Sequence, residues 1–100
     1  MIKDVTEKEF DAAVSTGLVL VDCWAPWCTG CKMMSSILVK LSQEKPELNI
    51  VKVDVDAEKV LASRLKVGTL PFLIIYEDGE AVNTITGVQT KARLLSALEG

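Results

Sequence analysis

Residues 18–24, Leu-Val-Leu-Val-Asp-Cys-Trp, form a near-continuous apolar run broken by one carboxylate. An apolar run of this kind marks a central strand covered on both faces. Upstream, Thr6 and Glu9 have the spacing of a capping box. Phe10, Ala13 and Val14 follow at helical spacing, with Gly17 as the expected stop. Downstream, Met33, Met34, Ile37, Leu38 and Leu41 draw an apolar stripe. That stripe predicts a helix from Cys28 to Lys45, which Pro46 prevents from continuing. Asn49 to Val55 alternates in part and is rich in valine, so it predicts a strand. Asp56 is placed to cap a short helix over residues 57–65. Residues 71–76 predict another strand, Asp78-Gly79 a hairpin turn, and the stretch from Val82 to Thr86 its return. Thr90 can cap a last helix carrying Leu94, Leu95 and Leu98. A short strand over residues 2–5 completes the series.

Strand and helix thus alternate until a closing hairpin and helix. Early alternation predicts parallel pairing, and the hairpin adds an antiparallel strand. The expected fold class is α/β, with a mixed central sheet between layers of helices and residues 1–100 forming one domain.

Composition narrows the function classes. The chain is 49% hydrophobic, enough for one core at 100 residues. Its net charge is −3 and its basic residues are scattered, so no nucleic-acid or membrane-surface footprint is present. No apolar run reaches the roughly 18 residues of a spanning helix. Residues 1–6 lack the apolar stretch and cleavage site of a signal peptide, which predicts a cytoplasmic and therefore reducing location. Three cysteines, an odd number, do not suit a disulfide scaffold.

The chemistry concentrates at Cys28-Thr29-Gly30-Cys31, just past the central strand and at the start of the long helix. Residues i and i+3 share one helical face, within reach of a disulfide. Cys28 lies at the helix N-terminus, where free N–H groups and the macrodipole favour a thiolate. Cys31, a turn deeper, can attack a mixed disulfide formed at Cys28. The pair therefore proposes reversible dithiol–disulfide exchange. Half of a zinc site is the competing reading, but the chain has no His and only Cys23 besides. A purely structural disulfide would close too short a loop to stabilise much.

The residues around the pair bring a resemblance into view. Val21-Asp22-Cys23-Trp24-Ala25-Pro26-Trp27-Cys28, then Cys31-Lys32-Met33-Met34, resemble the active-site region of the thioredoxin family, with Cys23 where an aromatic is usual. Lys52-Val53-Asp54-Val55-Asp56, Val67-Gly68-Thr69-Leu70-Pro71-Phe72, Asp78-Gly79-Glu80 and Gly87 resemble further family features in order, so the likeness covers nearly the whole chain. Two departures stand out. The usual Cys-Gly-Pro-Cys is Cys-Thr-Gly-Cys here, and Ser36, after Ser35, replaces a usual helix proline.

The resemblance implies a thioredoxin-like fold and a reductase of protein disulfides. Cys28 would be the nucleophile and Cys31 the resolving thiol. Asp22 would accept the Cys31 proton, with Lys52 as its partner. Trp27 would shield the disulfide and touch substrate. Pro71 would be cis, turning Thr69 and Leu70 toward the disulfide, and Val55, Gly87 and Val88 would complete an apolar groove. No cofactor or metal is expected beyond the cysteine pair. The expected partners are disulfide-containing proteins and a flavin- or ferredoxin-linked thioredoxin reductase, with the chain itself a monomer. Each residue also has a plainer reading. Asp22 can be a strand-end Asp satisfied by backbone donors, Lys52 a surface lysine, and Trp24 core support. Cys23 reads as a buried inert thiol. Thr29 and Gly30 are candidates for tuning the potential, by donating hydrogen bonds to a Cys28 thiolate and making the couple more oxidising. Two other functions stay open: a more oxidising glutaredoxin- or isomerase-like exchanger, and a non-catalytic binding subunit.

Overall fold

In a computed structural model describing residues 1–100, the apolar run forms strand β2 (Leu18–Trp24) at the centre of a five-stranded sheet. In chain order the other strands are β1 (Ile2–Asp4), β3 (Asn49–Asp54), β4 (Phe72–Glu77) and β5 (Glu80–Thr86), and the spatial order is β1-β3-β2-β4-β5. Helices α1 (Glu7–Ala13), α2 (Thr29–Glu44), α3 (Lys59–Arg64) and α4 (Lys91–Leu98) fill the intervals. β3 runs parallel to both β1 and β2. The antiparallel half begins at β4, which pairs antiparallel with β2 before the hairpin adds β5.

Alternation along the strands sorts the core into two layers. Val19, Val21 and Cys23 face α1 and α3, packing with Phe10, Val14 and Leu61. Leu20 faces α2 and α4, packing with Met34, Leu38, Leu41, Leu94 and Leu98. Asp22 has the parity of Leu20, so it points to the α2 side. The apolar stripe of α2 lies on the opposite side of that layer, which brings the start of the helix down beside the end of β2.

Three details differ from the sequence expectation, the first being Met33, expected in the buried stripe of α2 and 56% exposed. α1 ends at Ala13, before Gly17. Gly17, at φ +70°, instead ties the start of β2 to the hairpin turn. Its N–H donates to Asp78 Oδ1 at 2.8 Å and its carbonyl accepts from the Asp78 N–H at 3.0 Å. Asp56 does not cap α3; Glu58 is the N-cap. Asp54 accepts the N–H groups of Asp56 and Ala57 at 2.9 and 3.2 Å, so a local Asx turn carries the chain out of β3 first. The hairpin turn itself is as expected, with Asp78 and Gly79 at φ 51° and 88°, both in the left-handed region that a type I′ turn requires.

Candidate active site

Strand β2 delivers the chain to Ala25, and Cys28 becomes the N-cap of α2. Its Sγ accepts the Cys31 N–H at 3.1 Å. A side-chain acceptor at the N-cap naturally meets the N2 or N3 amide, and Cys31 is N3. Cys28 and Cys31 are joined in a disulfide, with Cα atoms 5.2 Å apart. Both are nearly buried, at 7% and 4% exposure, and Cys28 is the more open. In this arrangement the donor to Cys28 is Cys31, and neither Thr29 nor Gly30 donates to it. Nowhere do three His, Cys, Asp or Glu side chains gather as metal ligands.

Asp22 is fully buried, and neither carboxyl oxygen has a hydrogen-bond partner. The backbone-satisfied reading therefore fails: β2 is an inner strand, and its amides are committed to β3 and β4 on either side. Burial raises the Asp22 pKa from 3.8 to about 6, with the positive charge of Lys52 opposing the rise. Lys52 is the cross-strand neighbour of Asp22 in the β2–β3 register. The two form no ion pair. The Lys52 ammonium lies 3.4 Å from Ser35 Oγ and 5.1 Å from the centre of the Trp24 ring. Lys52 thus acts on Asp22 through its field rather than through contact. A cleft of about 110 Å3 opens here, lined by Trp24, Pro26, Cys31, Ser35 and Lys52 among others. Trp24 is half-buried with its indole N–H unpartnered.

On the other side of the disulfide an apolar wall assembles. Val55 and Leu70 pack against Ala25, Cys28 and Cys31. The Leu70–Pro71 bond is cis, as the resemblance implied. Pro71 and Val88 flank Gly30, and the Gly87 N–H donates to the Pro71 carbonyl at 2.9 Å. Thr69 is exposed in the loop before Pro71. Trp27 is 68% exposed, and its indole N–H donates to Asp56 at 2.9 Å. Ser35, Asp56, Met34 and Gln89 are site neighbours the sequence reading did not find. Each touches the site through a fold contact between distant segments, for which no local pattern exists.

A mixed sheet with helices on both faces, a cysteine pair at a helix start and a buried carboxyl in the adjoining strand define a dithiol–disulfide exchange protein. The comparisons carry this further. The thioredoxin family model matches residues 1–100. The thioredoxin of Bacillus subtilis (strain 168) is 43% identical over 94 residues, covering 93% of this chain and 90% of that protein. The thioredoxin of Listeria monocytogenes is 41% identical over 95 residues, covering 94% and 92%. A solved chain from a study of thiol resolution in yeast mitochondrial 1-Cys peroxiredoxin through the glutathione and thioredoxin systems superposes with a TM-score of 0.90. It is 29% identical, with 98% of this chain and 93% of that chain covered. The chain belongs to the thioredoxin family. It is a thiol–disulfide oxidoreductase, with Cys28 and Cys31 as the exchanging pair and protein disulfides as the substrate class.

Proposed function

We propose that the chain works as a reductant, with the roles divided by position. The Cys28 thiolate attacks one sulfur of a substrate disulfide. The substrate S–S bond breaks, a mixed disulfide forms at Cys28, and one substrate sulfur leaves as thiolate. The buried Asp22 carboxylate takes the Cys31 proton, and the Cys31 thiolate attacks Cys28 Sγ. The mixed disulfide breaks, the second substrate thiol is released, and the Cys28–Cys31 disulfide remains. Substrate lies along Thr69, Leu70 and Pro71, against Val55, Gly87 and Val88 and beside Trp27, as an extended segment pairing with backbone. Lys52 opposes protonation of Asp22 through its field. No cofactor is needed beyond the cysteine pair. A thioredoxin reductase, flavin- or ferredoxin-linked, restores the dithiol in the cytoplasm, and residues 1–100 act as one monomeric domain.

The observation that carries this reading is Asp22, fully buried without a hydrogen-bond partner yet held near neutrality. A group in that state can accept and return a proton at working pH. Insulin reduction with dithiothreitol as donor tests the activity. Titration against glutathione tests the direction. A couple well below the glutathione potential supports the reductant, and one above it makes the chain an oxidising exchanger.

A further inference from the structure

The active-site turn carries glycine at position 30, inside the first turn of α2. Glycine there costs a helix about 1 kcal/mol relative to alanine, so its presence calls for a spatial reason. A Cβ built on Gly30 would lie 3.2 Å from Pro71 Cδ and 3.2 Å from Val88 Cγ2. Both approaches are tighter than ordinary contact. The space above residue 30 is therefore already filled, from outside the helix, by two residues of the groove.

The neighbours differ in how they can yield. Pro71 is buried, its ring held at the start of β4. Val88 is 42% exposed, but its backbone is tied on both sides. The Gly87 N–H bonds the Pro71 carbonyl at 2.9 Å, and the Gln89 N–H bonds Met34 Sδ, in the core of the α2 layer, at 3.3 Å. These bonds limit how far the loop can withdraw. The remaining freedom is the side-chain rotation of Val88, a β-branched residue with few rotamers. A methyl at position 30 would press the Val88 side chain outward, toward the groove.

We infer that Gly30 and Val88 act as one specificity element, in which Val88 caps the bare active-site turn and thereby sets the width of the apolar groove for substrate segments flanking the target disulfide. The inference rests on the groove assigned under the proposed function. It predicts that the two positions are coupled. Gly30→Ala brings a methyl against both Pro71 and Val88; Val88→Ala removes the Val88 approach and leaves the 3.2 Å approach to Pro71.

The test is a double-mutant cycle on the full chain: wild type, Gly30→Ala, Val88→Ala and the double variant. Each is assayed with insulin, a protein disulfide, and with hydroxyethyl disulfide, too small to fill the groove, using dithiothreitol as donor. With Val88 present, Gly30→Ala is expected to raise KM for insulin about fivefold, within the range for residues in contact. With Ala at position 88 the same change raises it less than twofold. With hydroxyethyl disulfide, which does not fill the groove, Gly30→Ala is expected to change the kinetics by the same factor in both backgrounds. With insulin, an equal effect of Gly30→Ala in both backgrounds, or none in either, overturns the inference. So does the same coupling with the small disulfide, which would reduce the contact to a structural one. Should Gly30→Ala alone fail to fold, recovery of folding in the double variant supports the coupling and continued failure overturns it. If the wild type does not reduce insulin, the proposed function is what fails, and thermal melts of the four proteins still decide the coupling.

Discussion

Asp22 and Cys23 are adjacent on one strand, both fully buried and both weak acids, yet they face opposite sides of the sheet and differ in use. Cys23 sits in the layer against α1 and α3, among Val19, Val21, Val53 and Phe72. Burial, with the charge of Asp22 adding to it, pushes its thiol up to about 12. It stays protonated and unreactive at any physiological pH. Asp22 sits in the layer against α2, beside the strand neighbours Trp24 and Lys52 that line the cleft with Cys31. Burial raises it from 3.8 to about 6, with the charge of Lys52 working against the rise. Desolvation is common to both residues. Their different starting values, 3.8 for the carboxyl and 9.0 for the thiol, and a place on the disulfide's side of the sheet separate a proton carrier from a packing atom.

The largest effects fall on the pair itself. Cys28→Ser is expected to reduce turnover to the dithiothreitol background, while Cys31→Ser leaves a covalent mixed disulfide with substrate, visible on a non-reducing gel. Limiting iodoacetamide on the reduced protein should label Cys28 first and Cys23 not at all until unfolding. Native labelling of Cys23 would erase the contrast between the two layers.

Asp22→Asn comes next. A carboxyl held at about 6 in the folded chain against 3.8 when free binds protons more tightly folded than unfolded. The contribution of Asp22 to stability is thus most favourable below about 4 and is lost as pH rises through about 6. Above that, the charged buried group costs the fold as much as about 3 kcal/mol. The Asn variant should gain most of this in urea denaturation near neutral pH and almost nothing in acid, while its resolving step slows about 10- to 100-fold, within the range of proton-transfer catalysis. Equal stability gains in acid and at neutral pH would mean that Asp22 does not titrate as argued.

Cys23→Ser asks the converse question on the other layer. It buries a hydroxyl with no expected partner and should cost about 1–3 kcal/mol in urea denaturation. Insulin reduction per folded molecule should not change. A changed rate would show that the inert layer communicates with the site.

Ser35→Ala is the finest probe. Without the hydroxyl 3.4 Å away, the Lys52 ammonium loses a fixed position and its field at Asp22 weakens. The midpoint of the pH–rate profile for resolution should move up by about a few tenths of a unit, in the direction set by losing a positive neighbour. A downward move would mean that Ser35 holds Lys52 away from Asp22 rather than near it.

Much of this protein is legible along the chain because the signals are local. The apolar run at 18–24 marks a doubly covered strand, the i, i+3 cysteines a helix-start redox pair, and Asp78-Gly79 a type I′ turn, each from residues within a few positions of one another. The boundaries that shifted combine a local turn at Asp54 with contacts between distant segments. Gly17 bonds Asp78 across the sheet, and Asp56 takes the Trp27 indole N–H. Tertiary structure alone decided three matters. Strand parity sent Asp22 toward α2 and Cys23 away from it. Packing of α2 on β3 put the Lys52 ammonium at Ser35 instead of in an ion pair. The meeting of the Pro71 and Val88 loops over Gly30 turned a departure from the usual motif into a question of space. Local sequence sets backbone preference and chemistry, because those act within a turn or a strand. Field, burial and close approach depend on which distant segments meet, and only the closed sheet and its two helical layers determine that.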